Sequence, residues 1–73
     1  MYNVFGREYE FAITVAIPVL ERTTQYTDWL RESVGPENAI WAYGFVKVSD
    51  DFLIFRFFFK EDNHMAMFKL AML

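Results

Sequence analysis

The chain has 73 residues, a formal net charge of −3, no cysteine and a single histidine, which rules out disulfides and thiolate metal sites and disfavours a structural zinc. Hydrophobic residues make up 55% of it and aromatics 21%, and a domain this small has proportionally little interior to hold them, so apolar surface is left for a partner to cover. Its seven cations are scattered without a basic run, so no nucleic-acid partner is expected, because that affinity rests on Lys and Arg neutralising phosphates.

The first residues carry neither the basic nor the apolar region of a secretory signal. The longest uncharged stretch, residues 11–20, is well short of the ~20 apolar residues that cross a membrane. A cytoplasmic protein with no membrane partner is expected. Residues 8–17 alternate: Tyr9, Phe11, Ile13, Val15 and Ile17 share one face, and Glu8, Glu10, Ala12, Thr14 and Ala16 the other. That period predicts a strand. Pro18 ends it and suits the first turn of a helix. Over residues 19–34, Leu20, Thr23, Thr27, Leu30 and Val34 form a helical stripe flanked by Tyr26 and Trp29. Gly35-Pro36 stops that helix.

Residues 40–49 alternate again, with Trp41, Tyr43, Phe45 and Lys47 on one face and Ile40, Ala42, Gly44, Val46 and Val48 on the other. Ser49-Asp50-Asp51 reads as a hairpin turn. The strand at residues 52–60 is apolar on both faces apart from Arg56, the pattern of a central strand covered twice. Glu61-Asp62-Asn63 offers an N-cap. The helix at residues 64–73, with only Lys69 strongly polar, reads as buried all round.

The expected fold is a single α+β domain of residues 1–73 with order β-α-β-β-α. A right-handed crossover leaves room for the third strand between the other two. The result is a three-stranded antiparallel sheet of order 1-3-2 with both helices on one face. This topology resembles a ferredoxin-like fold without its final strand, a likeness that names no function.

With both helices on one side, the opposite sheet face is open. Tyr9, Phe11, Ile13 and Val15, with Leu53, Phe55, Phe57 and Phe59, are assigned to the helix side. The open face then carries Ala12, Thr14, Ala16, Phe52, Ile54, Arg56 and Phe58, joined by Trp41, Tyr43, Phe45 and Lys47. The expected protein interface is Trp41, Tyr43, Phe45, Phe52, Ile54, Arg56 and Phe58, with Met72 and Leu73 of the terminal helix. A face this greasy favours association, since each buried Phe or Ile contributes roughly 1.5–3 kcal/mol. The competing expectation is that residues 1–5 fold over it.

No constellation points to catalysis, a metal or a cofactor. His64 sits in a capping turn without a second ligand at fitting spacing. Asp50 with Asp51 reads as turn chemistry, and Glu8 with Glu10 as a solvated pair. No phosphate-binding glycine loop occurs. Arg56, among Phe52, Ile54 and Phe58, is placed either to anchor a partner carboxylate or to extend its head to the sheet edge.

The segment Glu61-Asp62-Asn63-His64-Met65-Ala66-Met67-Phe68-Lys69-Leu70, an acidic cap ahead of a helix bearing Phe-Lys-Leu, resembles the tail of small uncharacterised bacteriophage-encoded proteins. The resemblance implies a phage origin, an infected bacterial cytoplasm and no active-site residues. The expected function is a non-enzymatic interaction module that self-associates as a homodimer or larger. The alternatives are an inhibitor or regulator of a host protein and a binder of a small ligand between the sheets of a dimer.

Overall fold

The computed structural model describes the whole chain, Met1–Leu73. Strands β1 (Tyr2–Val4) and β2 (Arg7–Tyr9) pair antiparallel. The two turn residues between them, Phe5 and Gly6, both hold positive φ, +50° and +77°, which suits the right-handed twist of a two-residue hairpin. Asn3 Oδ1 accepts the Gly6 N–H at 3.2 Å and fixes the turn. The chain bends at Glu10 before β3 (Phe11–Pro18). The single strand expected over residues 8–17 is therefore broken in two.

Pro18 does not open a helix. It is the last residue of β3, opposite Phe52, on an edge strand where a missing donor is tolerated. The chain turns after it, with the Glu21 N–H donating to the Pro18 carbonyl at 2.9 Å. Helix α1 (Thr23–Ser33) follows, later than the expected start at residue 19. It ends where the Val34 and Gly35 N–H groups both donate to the Leu30 carbonyl, at 2.9 and 3.0 Å. Strands β4 (Trp41–Ser49) and β5 (Phe52–Phe59) form a hairpin across Asp50-Asp51, with Asp50 at φ +53°. Helix α2 (Asp62–Met72) closes the chain; its N-cap Glu61 is extended and makes no side-chain cap bond.

The molecule is thus α+β, with two helices and two antiparallel sheets. One sheet is β1-β2; the other has the order β3-β5-β4. This corrects the expectation of one three-stranded sheet in order 1-3-2: there are five strands, because residues 1–9 build a hairpin of their own. The Phe-rich strand β5 pairs on both sides.

Both helices pack on one face of the larger sheet. Val15, Ile17, Trp41, Phe57 and Phe59 meet Tyr26 and Leu30 of α1 and Phe68 of α2 in the core. The Phe68 ring centroid lies 4.9 Å from that of Phe57 and 5.6 Å from that of Phe59. Eleven of the 73 residues are buried, so most of the apolar excess remains at the surface. The accessible area of 4641 Å² is close to the roughly 4,700 Å² that scaling gives a folded monomer of this mass. Exposure of that material therefore does not come from loose packing.

Candidate interaction surface

The register of β4 decides which side chains reach the second sheet face. Trp41, Tyr43 and Phe45 stand opposite Phe59, Phe57 and Phe55, and residues directly opposite on paired strands share a face. All three therefore point to the helix side, which corrects their expected place on the open face. Trp41 is 0% exposed; its Nε1–H donates to the Gly35 carbonyl at 2.7 Å. Tyr43 stacks between Trp41 and Phe57, with ring centroids at 6.0 and 5.7 Å. Only Phe45, 57% exposed, lies beyond the cover of the helices. It touches Phe55 edge-on at 5.5 Å.

The physical reason is the small residues. Ala42 and Gly44 stand opposite Phe58 and Arg56, with Ala12 and Thr14 on the other side. Across three strands, large side chains of β5 form a ridge between low shoulders. A bulge between Phe45 and Lys47 then shifts the register, so Lys47 joins the second face opposite Ile54.

One end of that face is covered from within the chain. The β1-β2 hairpin lies over it: the rings of Tyr2 and Tyr9 approach Phe58 at 5.6 and 6.3 Å. Tyr9, expected among the helix-side residues, is instead buried here, because the bend at Glu10 turns β2 out of line with β3. Its hydroxyl donates to the Ala39 carbonyl at 3.5 Å, and Lys60 Nζ lies 5.7 Å from the ring centroid. The other end, with Phe52, Ile54, Arg56 and Ala16, stays open to varying degrees. Arg56 is exposed, and its Nε–H donates to Thr14 Oγ1 at 3.4 Å. Neither Arg56 nor Lys47 has a carboxylate partner within ion-pair distance. No Asp or Glu stands among the residues of this face.

The terminal helix differs most from expectation. Phe68 alone is fully buried in α2. Met72 lies partly buried against the core, whereas Leu73 is 60% exposed. Leu70, on the side of the helix opposite Phe68, is 89% exposed, and Ala66 and Met67 are exposed with it. A helix apolar all round has one side on the protein and the other in solvent. Sequence periodicity marks that side only faintly, because Asp62, Asn63 and Lys69 are its only polar residues.

The remaining candidates for chemistry stay apart. His64 is partly buried, with Nδ1 3.6 Å from Glu61 Oε2 and no hydrogen-bond partner. Asp50 and Asp51 occupy the hairpin turn. Glu8 and Glu10 line a shallow depression of about 670 Å³ together with Arg7 and Lys60, a rim of mixed charge. No group of three or more His, Asp or Glu side chains is placed to hold a metal ion, and no helix is long and apolar enough to cross a membrane. No protein-family model, curated protein or solved structure matches the chain.

Proposed function

We propose that this protein is a non-enzymatic interaction module that works by self-association. The observation that carries the reading is the solvent-facing side of α2, where Leu70 is 89% exposed beside Ala66, Met67 and Leu73. An apolar helix face of this kind is favoured against a second surface like itself, and closed two-fold dimers are the commonest assembly of a single chain. The order β3-α1-β4-β5-α2 also resembles a ferredoxin-like fold without its final strand, the strand that would lie along β3. Substituting Leu70→Glu tests the reading, since an exposed position tolerates the charge in the monomer but not in an apolar interface. A monomer by light scattering with unchanged circular dichroism supports it. A variant as associated as the parent chain contradicts it.

A second reading has its own support. The open end of the sheet face carries Arg56 and Lys47 with no carboxylate beside them. Two copies stacked on this face would bring four such cations together, so the face is better suited to an acidic foreign protein. If the phage resemblance holds, that partner is a host protein. Retention on immobilised acidic peptide that is lost in Arg56→Ala supports this reading.

A further inference from the structure

The two outer edges of the larger sheet are built differently. Along β4, Glu37 bridges to Trp41 and the Asn38 N–H donates to the Trp41 carbonyl at 2.8 Å. The start of that edge is therefore covered. A bulge between Phe45 and Lys47 distorts its middle, and Lys47 adds a charge. Coverage, bulges and lysines are the devices by which a sheet edge resists pairing with another chain. Strand β3 has none of these; its one protective device is Pro18, at its last position. Its eight residues include no charged side chain, and its register with β5 runs without interruption. Beyond the ladder, the Pro18 carbonyl is the only backbone group of β3 that takes part in a hydrogen bond. A long, unbroken, uncharged edge is a template for another strand.

Helix α2 lies against β3 and β5, on the same side of the molecule as that free edge. Resting on the self-association proposed above, we infer that two copies pair antiparallel along β3 about a two-fold axis. They form one six-stranded sheet with their α2 helices side by side. The spacing fits. Strands lie about 4.8 Å apart, so a helix seated between β3 and β5 stands about 4.8 Å from an axis at the β3 edge. The two α2 helices are then about 10 Å apart, at the upper end of the 8–10 Å range of packed helices. Because like faces must meet across the axis, the two copies of β3 pair over seven residues and supply about six to eight interchain backbone hydrogen bonds. This arrangement keeps Arg56 and Lys47 of one copy away from those of the other. A foreign strand would satisfy the β3 edge alone, whereas a second copy also brings an equivalent helix beside α2.

Amide hydrogen exchange of the intact chain, measured below and above its association midpoint with the mass determined in parallel, tests the pairing. A dimeric mass is expected, with the outward amides of Phe11–Ile17 slowed by about tenfold or more on association and the outer amides of β4 unchanged. A dimer whose β3 amides exchange as fast as in the monomer overturns the edge pairing and leaves self-association intact. A monomer at every concentration overturns both. Thr14→Lys supplies a second check, because Thr14 is exposed near the middle of β3 and the substitution sets like charges across the axis. It is expected to weaken the dimer by about tenfold while the circular dichroism is retained; a folded variant that dimerises as tightly as the parent also overturns the pairing.

Discussion

The ring of Tyr2 stands 5.6 Å from that of Phe58 at an interplanar angle of 56°, so the first strand of the chain is held against its most apolar one. Tyr9 reaches the same ring from the other strand of the hairpin. The N-terminal hairpin thereby removes from solvent one end of a sheet face that would otherwise be open along its length. Tyr2→Ala is expected to destabilise the fold by about 1 kcal/mol, the typical value of an aromatic pair, as read by urea denaturation. Phe58→Asp places a carboxylate under two tyrosines and is expected to cost more, about 2–4 kcal/mol. Equal denaturation midpoints for Phe58→Asp and the parent chain would show that the hairpin does not cover this position.

Trp41 joins the sheet to the end of α1 through its 2.7 Å bond to the Gly35 carbonyl. Trp41→Phe leaves that carbonyl without the donor and leaves ring volume unfilled in the core. A loss of about 2 kcal/mol is expected, visible as a lower urea midpoint at unchanged slope.

Gly35 itself has φ +147°, and a Cβ built on it would lie 3.3 Å from Ile40 Cδ1. Backbone conformation and space both oppose a side chain there. Gly35→Ala is expected to cost about 1–2 kcal/mol, whereas Gly44→Ala, where nothing lies within 4 Å of the added carbon, is expected to be nearly neutral. Thermal denaturation of the two variants side by side checks the contrast.

Stability should fall in alkali. Burial pushes the Tyr9 hydroxyl above its ordinary value of 10.0, with Arg7 opposing weakly. Burial does the same for Tyr26, helped by its 3.1 Å hydrogen bond to Glu21. Both phenols are therefore kept neutral in the fold, while those of the unfolded chain ionise near 10.0. Their contribution is complete below that pH and is lost as pH rises through the higher folded values. Urea midpoints taken from about pH 8 to about pH 11 should decline, and less steeply in a Tyr9→Phe, Tyr26→Phe double variant.

Much of this architecture is legible in the residues themselves. Phe52–Phe59 is apolar on both faces, and it is the strand with a neighbour on each side. The 3.6-residue stripe of Leu30 with Tyr26 and Thr27 marks the buried side of α1. Alternation alone cannot say which of two faces looks inward, and for β4 that choice is made by contacts far away in sequence. These are the stacking of Tyr43 on Phe57 and the Trp41 bond to Gly35. The hairpin of residues 2–9 has a local signal, Gly6 after Asn3 between two short extended runs. It is hidden because Tyr9 also continues the alternation of Phe11, Ile13 and Val15. The exposed side of α2 leaves only a faint trace, Asp62, Asn63 and Lys69, because Ala66, Met67 and Leu70 that face water beside them are apolar.

The most direct measurement is the mass of the pure chain in solution by sedimentation equilibrium over a hundredfold range of concentration. Self-association through α2 and the β3 edge requires the mass to rise from that of one chain, 8.7 kDa, toward twice that value and level off there, as a closed two-fold assembly does. A mass that stays at 8.7 kDa throughout would contradict it, and would mean that Leu70 and the free edge of β3 are stable in water alone.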